Sequence, residues 1–219
     1  MKICDFPIVL RSHTLIVISF GVTFFLLAAL FGCGQKSAET QKVRATVTIQ
    51  NLQTAYGKAV KYRRMYSLFA GKAEAERVKN VAELYRAAAR SEDIHAANHA
   101  ALLPQYEMKP EEPERDSVPV GSLLQTLKMA VSSEEIESDR LYPNLIHTAE
   151  LEKDSAAIDQ FRRTRDADAR HAELFREAIT REGRIPGVQY FVCSSCGYIM
   201  TSEKTEECPV CHTKKDKFE

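Results

Sequence analysis

The sequence predicts a mainly α-helical protein in which a four-helix bundle with one long crossover precedes a small metal-binding module. Three observations predict this fold. Apolar residues recur at alternating steps of three and four along four long stretches, prolines cluster between the second and third stretch, and four of the six cysteines lie in the last 30 of 219 residues. Steps of three and four place side chains on one face of a helix, and a bundle buries that face in its core.

The predicted helices cover residues 46–72, 75–103, 120–151 and 153–182. Between the second and the third, the stretch from Pro104 to Pro119 holds four prolines in 16 residues, which argues against a helix there. Gly183 and the pair Pro186-Gly187 end the fourth helix. Short first and third connections with a long second one are typical of ferritin-like bundles. We therefore assign residues 46–183 to the bundle domain and residues 188–219 to the cysteine module.

The first 33 residues have the features of an export signal. Lys2 and Arg11 precede an almost unbroken apolar stretch, Thr14 to Phe31, and the segment from Leu30 to Cys33 resembles a bacterial lipoprotein cleavage box with Cys33 as the lipidated residue. The alternative is an uncleaved anchor, because 18 apolar residues at about 1.5 Å each just span a bilayer core. Both interpretations predict a membrane-anchored protein, and a cytoplasmic one follows only if neither holds. The polar residues 34–45 are predicted to be a tether.

Charge gives no indication of a polyanionic partner. The chain has 30 basic and 30 acidic residues, so its formal net charge is zero. Nucleic-acid binding normally shows as a basic excess or a basic stripe. We therefore expect no nucleic acid among the partners.

Ionisable residues occupy the middle of three of the four predicted apolar stripes. Each of the last three helices carries a pair of them three positions apart: Glu92 with His95, Glu134 with Glu137, and Asp168 with His171. Residues three apart are neighbours on a helix, so each pair can point at one central spot. Four carboxylates in a bundle core need compensating charge, and two divalent cations would supply it. The oxygen and nitrogen donors suit iron or manganese. The alternative, ordinary surface charges, requires three such pairs to fall in the seam by accident.

Two further histidines are not predicted to be ligands. His99 lies on the stripe one turn after His95, and we expect it to be a core or supporting histidine. His147 lies off the stripe and is expected to be exposed.

The cysteines form two C-x-x-C knuckles, Cys193 with Cys196 and Cys208 with Cys211. Each knuckle brings two thiolates together, and two knuckles complete a tetrahedron around one metal ion. About 30 residues bury too little surface to fold alone, so the metal would supply folding energy. Iron and zinc both fit this spacing, and disulfide pairing is a third interpretation that suits it less well.

Taken together, residues 51–219 resemble the rubrerythrins, which join a ferritin-like di-iron domain to a rubredoxin-like domain. The resemblance is carried by the three helical pairs, by Leu141-Tyr142-Pro143, by Cys196-Gly197-Tyr198 and by Lys217-Phe218-Glu219. It implies that the helical residues bind two irons and the cysteines a third, which favours iron over zinc in the tail. It also implies reduction of hydrogen peroxide at the di-iron site, with electrons that pass from an unidentified donor through the rubredoxin-type iron. It further implies a homodimer or larger assembly, and tyrosines beside the irons at Tyr66 and Tyr142.

The chain departs from the family pattern at three positions. Ala59 stands where the family has a ligating glutamate on the first helix, and the stripe through Ala55, Ala59 and Tyr66 places it in the core. Lys58 and Lys61 are nearby but cannot replace an anionic ligand. Asp168 stands in place of glutamate, and His212 in place of a glycine that favours φ > 0. We therefore expect one iron to bind less tightly, and expect Ala59→Glu to raise the iron content toward three per chain.

Two other functions are consistent with the sequence. The bundle could be a degenerate scaffold in an electron-transfer or metal-binding protein whose only redox centre is the tail. The protein could also be a structural lipoprotein that carries zinc. A visible spectrum separates these hypotheses, because iron bound by four thiolates is red and a zinc protein is colourless.

Overall fold

The computed structural model describes residues 34–115, 117–184, 187–201 and 205–218, with side chains described from residue 47 onward. The predicted signal and its Cys33 lie outside the described residues. Within these ranges, no helix combines the length and the apolar character that crossing a membrane requires. The bundle and the cysteine module belong to one compact unit, Arg44–Glu219.

The described chain is mainly helical, as predicted. Its helices are α1 (Gly34–Ala75), α2 (Lys79–Leu102), α3 (Leu123–Ile136), α4 (Tyr142–Glu152) and α5 (Ser155–Thr180). A 3₁₀ turn, Leu103–Tyr106, ends α2, and a π turn, Glu137–Leu141, joins α3 to α4. The predicted tether at residues 34–45 is part of α1 rather than an irregular linker. The third bundle helix consists of α3, the π turn and α4 together.

Short connections have left-handed residues at the helix ends. Arg77 after α1, Lys153 after α4 and Glu182 after α5 all have φ between 51° and 63°. After α1, the Val78 N–H donates to the Ala73 carbonyl, which satisfies an end carbonyl that has no partner inside the helix. This turn makes α2 begin at Lys79 and not at residue 75 as predicted.

The crossover between α2 and α3 has no regular structure from Glu107 to Ser122 in the residues described there. It lies against α1, where the Tyr56 hydroxyl donates to Glu112 Oε1 at 2.8 Å and Gln53 Nε2 donates to the Glu111 carbonyl at 2.8 Å. A capping box of Ser122 and Gln125 then starts α3. The long connection therefore covers one side of α1.

The helical stretch predicted over residues 120–151 begins at Leu123 and contains a π turn at its centre, and Pro143 gives the reason for that turn. Proline has no N–H, and its ring would clash with the carbonyl of Asp139 four residues earlier. In an α-helix each N–H bonds to the carbonyl four residues back. The Tyr142 N–H bonds to the Glu137 carbonyl, five residues back, which is the hydrogen bond of a π-helix. In this wider turn Tyr142 is buried and Leu141 is only partly buried.

Two apolar clusters flank the ionisable residues along the bundle. One contains Tyr66, Tyr85 and Phe175, and the other contains Tyr142 and Phe161. Along α5 the order is Phe161, then Asp168 and His171, then Phe175, so the ionisable layer lies between the clusters. A fully buried side chain of this size contributes about 1.5–3 kcal/mol. Apolar burial on both sides can therefore support a polar layer that costs stability by itself.

The tail, defined as described residues from Gly187 to Phe218, is a small metal-knuckle fold with little regular structure. Strands β1 (Phe191–Val192) and β2 (Ile199–Met200) pair antiparallel, with Val192 opposite Ile199. Both of these residues are buried in the same cluster as the bundle aromatics. The tail therefore shares a hydrophobic core with the bundle.

Candidate metal centres

The six ionisable residues predicted from the helical pairs come together in the bundle core, and we call them the bundle site. All six are buried, with at most 2% of each residue exposed. They come from α2 (Glu92, His95), α3 (Glu134), the π turn (Glu137) and α5 (Asp168, His171). The alternative of ordinary surface charges is inconsistent with this burial.

The bundle-site donors converge within bonding range of a shared ion. Ligand atoms of Glu92, Glu134, Asp168 and His171 all lie within 4.8 Å of one another. His171 Nδ1 is 3.5 Å from Glu134 Oε1, and His95 Nδ1 is 3.4 Å from Asp168 Oδ1. Both imidazoles therefore turn the same ring atom, Nδ1, toward the carboxylates.

Burial changes the protonation of this cluster. It raises the pKa of Glu92 and of Asp168 well above the ordinary carboxyl range, and the charge of Glu134 raises both further. It raises the pKa of Glu137 to about 7, although the Lys58 ammonium opposes this shift. It lowers the pKa of His95 to about 4, so the ring is neutral near pH 7 and offers a lone pair. A bound cation would favour the ionised carboxylates that burial disfavours.

Several site atoms lack hydrogen-bond partners, which tests whether the residues fit a metal. They are His95 Nδ1, Glu134 Oε2, Asp168 Oδ1, both ring nitrogens of His171, and Glu137 Oε1, which does lie in ion-pair range of Lys58. Buried polar atoms are normally paired, because each unpaired one costs about 1–3 kcal/mol. Donors that point inward without partners fit the oxygen and nitrogen ligand set of iron or manganese.

The neighbouring tyrosines and His99 have different roles. The Tyr66 hydroxyl donates to Glu134 Oε1 at 2.5 Å, which fixes this carboxylate. Tyr142 is also buried, but its hydroxyl lies 3.2 Å from His99 Nε2. Burial lowers the pKa of His99 to about 3, and the ring packs against Phe161. His99 is thus a neutral core histidine, as expected, and His147 is exposed.

Helix α1 presents an alanine and a lysine to the bundle site. Ala59 is 2% exposed and packs with Tyr56, Val60 and Ala96, so no donor reaches the site from its position. Lys58 Nζ lies 2.9 Å from Glu137 Oε1. The sequence placed Lys58 near the site without a role, and the structure pairs it with a predicted ligand.

The tail site consists of Cys193, Cys196, Cys208 and Cys211, whose sulfurs also lie within 4.8 Å of one another. The Cys193–Cys211 and Cys196–Cys208 Sγ pairs are 3.6 and 3.5 Å apart. Ligands about 2.3 Å from a tetrahedral metal would be about 3.8 Å apart. These separations rule out disulfide bonds among the four, which require about 2.05 Å.

The knuckle backbone supports the tail site. The N–H groups of Ser195 and Cys196 bond to the Cys193 sulfur, and those of Val210 and Cys211 bond to the Cys208 sulfur. Such bonds stabilise thiolates at a metal. His212 has φ +57°, the left-handed conformation that its place after the second knuckle predicted.

The tail touches the bundle site at its first knuckle. His95 Nε2 lies 3.1 Å from the Cys196 carbonyl oxygen, and the Ser91 hydroxyl donates to the Gly197 carbonyl at 2.6 Å. Asn98 Nδ2 donates to the Ser195 carbonyl at 2.8 Å. A Cβ on Gly197, whose φ is +80°, would lie 2.5 Å from His95 Nε2 and closer still to Ser91 Oγ. Only glycine fits this junction, which sequence reasoning did not anticipate.

Fold and sites together define a class: a ferritin-like metalloprotein with an appended four-cysteine module. The family model described as Rubrerythrin matches residues 50–179, and the one described as Rubrerythrin, rubredoxin-like domain matches residues 191–219. The first match covers more than half of the sequence. The chain therefore belongs to the rubrerythrin family.

Individual relatives agree with this assignment. Rubrerythrin-2 of Clostridium acetobutylicum is 30% identical over 186 residues, which are 81% of this chain and 98% of the relative. Nigerythrin of Nitratidesulfovibrio vulgaris is 30% identical over 171 residues, which are 78% of this chain and 85% of the relative. The solved structure of fully reduced, all-ferrous nigerythrin superposes with a TM-score of 0.75 at 30% identity, over 78% of this chain and 85% of the other.

The family's two metal sites, a di-iron site and a four-cysteine site, are both represented here by converging donors. The tail set is complete. In the bundle, Glu92, Glu134, Asp168 and His171 could hold one ion, because their ligand atoms lie within 4.8 Å of one another. The second position has Glu137 and His95 but no donor from Ala59.

Proposed function

We propose that the protein reduces hydrogen peroxide at the bundle site, with electrons delivered through the tail site. The reaction consumes two electrons and two protons per peroxide and yields two water molecules. Iron held by the bundle-site residues would supply the electrons for cleavage of the O–O bond, and iron held by the four cysteines would supply one-electron replacement. The reductant that feeds the tail is a further partner.

The observation that carries this proposal is the position of His95 between the two sites. Its Nδ1 lies 3.4 Å from Asp168 Oδ1, while its Nε2 lies 3.1 Å from the carbonyl of Cys196, itself a tail-site residue. In the neutral ring, Nε2–H donates to the carbonyl and Nδ1 keeps its lone pair for the bundle site. One imidazole thus links the thiolate site to the carboxylate site through a single hydrogen bond.

Other residues orient donors and exclude water. Tyr66 fixes Glu134 through its 2.5 Å hydrogen bond, and burial raises the pKa of Tyr66 well above its usual value, so the hydroxyl stays protonated. The rings of Tyr66 and Tyr85 stack on each other, Phe175 packs against both at a tilt, and the three rings lie at one end of the site. Exclusion of bulk water strengthens every charge interaction inside.

Replacement of Gly197 by alanine tests the link without touching a ligand. The added Cβ must push the knuckle off His95 and Ser91. The matched control is Gly187→Ala, because Gly187 has a similar φ of +71° but open space around it. Anaerobically reduced full-length protein would be mixed with peroxide, and return of the ferric thiolate colour followed by stopped flow.

We expect Gly197→Ala to slow reoxidation of the tail iron by about tenfold or more, and Gly187→Ala to change it less than twofold. Tail iron content, measured on the same samples, must be equal in all three proteins. Equal rates in all three would refute the His95 route. Failure of peroxide to reoxidise even the wild-type tail would instead favour the electron-transfer or metal-binding alternative, which the missing donor at Ala59 supports.

We also propose that the chain is an exported lipoprotein anchored through Cys33, on the evidence of its N-terminal sequence. The test is fractionation of cells that express the wild type or Cys33→Ala. Wild-type protein in the membrane fraction, with release or precursor accumulation on substitution, is the expected result. Wild-type protein in the soluble cytoplasmic fraction would refute the proposal.

A further inference from the structure

One buried carboxylate of the bundle site already has a positively charged partner. Glu137 is 2% exposed, and its Oε1 lies 2.9 Å from Lys58 Nζ. Only the Glu137 side of this pair is buried, so water screens the attraction more than in a dry core and less than on an open surface. A buried carboxylate also binds its partner firmly because the unpaired charge is costly. Glu137 therefore has a compensating cation before any metal binds.

A first metal ion does not need Glu137. The group whose ligand atoms converge within 4.8 Å consists of Glu92, Glu134, Asp168 and His171. These four residues offer three carboxylates and one imidazole, a sufficient set for one divalent ion. Glu137 and His95 remain as ligands for a second ion. Position 59 of α1 adds no metal ligand, because Ala59 has only a methyl side chain and packs with Tyr56 and Val60.

We propose that Lys58 competes with the second cation for Glu137, so that the bundle binds one divalent ion tightly and a second one only when Lys58 leaves. Lys58 is a positioning residue here, since it acts on the metal through Glu137. The inference rests on the proposed metal centre but not on its reaction with peroxide.

The surroundings of Lys58 allow it to leave. Its side chain is 34% exposed and lines a surface groove of about 390 Å³ that also contains Lys61. Glu111, Glu112 and Glu114 of the crossover line the same groove. The displaced ammonium would therefore find water and carboxylates outside the core. The cost of displacement would be the lost pair with Glu137 and the lost contacts with Tyr62, whose hydroxyl lies 3.5 Å from Lys58 Nζ and whose ring centroid lies 5.3 Å from it.

The test is a Mn²⁺ titration of the full chain with its tail site filled and its bundle site stripped by a chelator. Electron paramagnetic resonance counts free Mn²⁺ and separates isolated bound ions from coupled pairs. For the wild type we expect one tight equivalent and a second that binds at least tenfold more weakly. Lys58→Met should increase the affinity for the second Mn²⁺ ion by at least tenfold and produce the spectrum of a coupled Mn²⁺ pair.

Two further variants make the result specific. Lys58→Arg keeps the charge and should keep the weak second equivalent. Lys61→Met removes a lysine from the same groove and should leave both affinities unchanged. Two wild-type equivalents of indistinguishable affinity, or equal shifts in Lys58→Met and Lys61→Met, would overturn the proposal. The Mn²⁺ titration uses no peroxide, so it tests the Lys58 proposal separately from the proposed peroxide reduction.

Discussion

The bundle site and the tail site differ in how far apart in the sequence their ligands lie. Glu92 and His171 are 79 positions apart and meet because three helices bury their stripes together. Cys193 and Cys211 are 18 positions apart, and two local knuckles bring them together. The bundle site is thus a product of tertiary packing, and the tail site is a product of local turns.

This difference indicates which interactions stabilise each site. The bundle site lies between two aromatic clusters that exist without a metal, so the fold tolerates a polar layer. The tail buries mainly its own cysteines and a few apolar residues, and a cluster of four thiols needs a cation. Metal therefore adds to an existing fold in the bundle and completes the fold in the tail.

The largest expected effect comes from Cys208→Ser. With three thiolates the tail should lose its metal and its ordered structure, while the five helices persist. Metal analysis should show loss of the tail ion, and far-ultraviolet circular dichroism should change by less than a tenth. Ser194→Ala, in the first knuckle, serves as the control with full metal content. Collapse of the helical signal in Cys208→Ser would contradict the claim that the bundle keeps its helices without the tail metal.

Tyr66→Phe should have the next largest effect, and it acts on the bundle alone. It removes the donor at 2.5 Å from Glu134 and leaves a buried carboxylate oxygen without that bond. We expect the free energy of unfolding of the metal-stripped protein to fall by about 2 kcal/mol. Tyr85→Phe, which removes a neutral bond to Thr126 of 3.1 Å, should cost only about 1 kcal/mol. Urea titrations measure the free energy of unfolding of both variants, and an equal decrease in the two would contradict the prediction.

The pH dependence of stability should also distinguish a stripped bundle from a loaded one. Burial raises the pKa of Glu92, Glu137 and Asp168, so the folded state holds protons that the unfolded state releases. Stability is then lost as pH rises through these folded-state values. The opposite contributions of His95 and His99, whose pKa values burial lowers from 6.5 to about 4 and about 3, are complete about one pH unit above 6.5.

Above about pH 7.5, the free energy of unfolding of the stripped protein should therefore fall as pH rises, by about 1.4 kcal/mol per pH unit for each proton that the folded bundle site still holds. Urea titrations at several pH values, with the tail metal retained, measure the slope. The loaded protein should show a flat or opposite slope, because the cation keeps the carboxylates ionised. A stripped protein that gains stability over this range would contradict the assigned protonation.

The smallest expected effect is local to the tail. His212 adopts φ +57°, where glycine carries no side-chain penalty. His212→Gly should stabilise the tail by about 0.5–1 kcal/mol, and so slow metal release to a chelator by a few-fold. Faster release would show that the contact of His212 Nδ1 with Glu207 Oε1, at 3.1 Å, outweighs the backbone strain.

Much of the fold followed from periodicity. The α5 stripe, from Ala157 through Asp168 and His171 to Ala178, is buried at every predicted position. This succeeded because side chains at steps of three and four share a face whatever the partner helix is. The C-x-x-C spacing predicted the tail site for a similar reason, since a knuckle is a local structure.

Tertiary contacts were less accessible from the sequence. Pro143 signals a disturbed helix but not whether a kink, a break or a π turn relieves it. Lys58 lies one position from Ala59, and only its long flexible side chain brings the ammonium to Glu137. The contact between His95 and Cys196 spans 101 positions, so it depends on how the tail packs against α2.

The most direct test of the central claim, that buried carboxylates and histidines of three helices bind metal beside a four-thiolate ion, is Mössbauer spectroscopy of anaerobically reduced, ⁵⁷Fe-enriched full-length protein. We expect two kinds of ferrous signal, one from tetrahedral thiolate ligation and one from oxygen and nitrogen ligation. Combined substitution of Glu134→Gln and His171→Gln should abolish only the second. A wild-type spectrum that contains the thiolate signal alone at excess iron would contradict the bundle site.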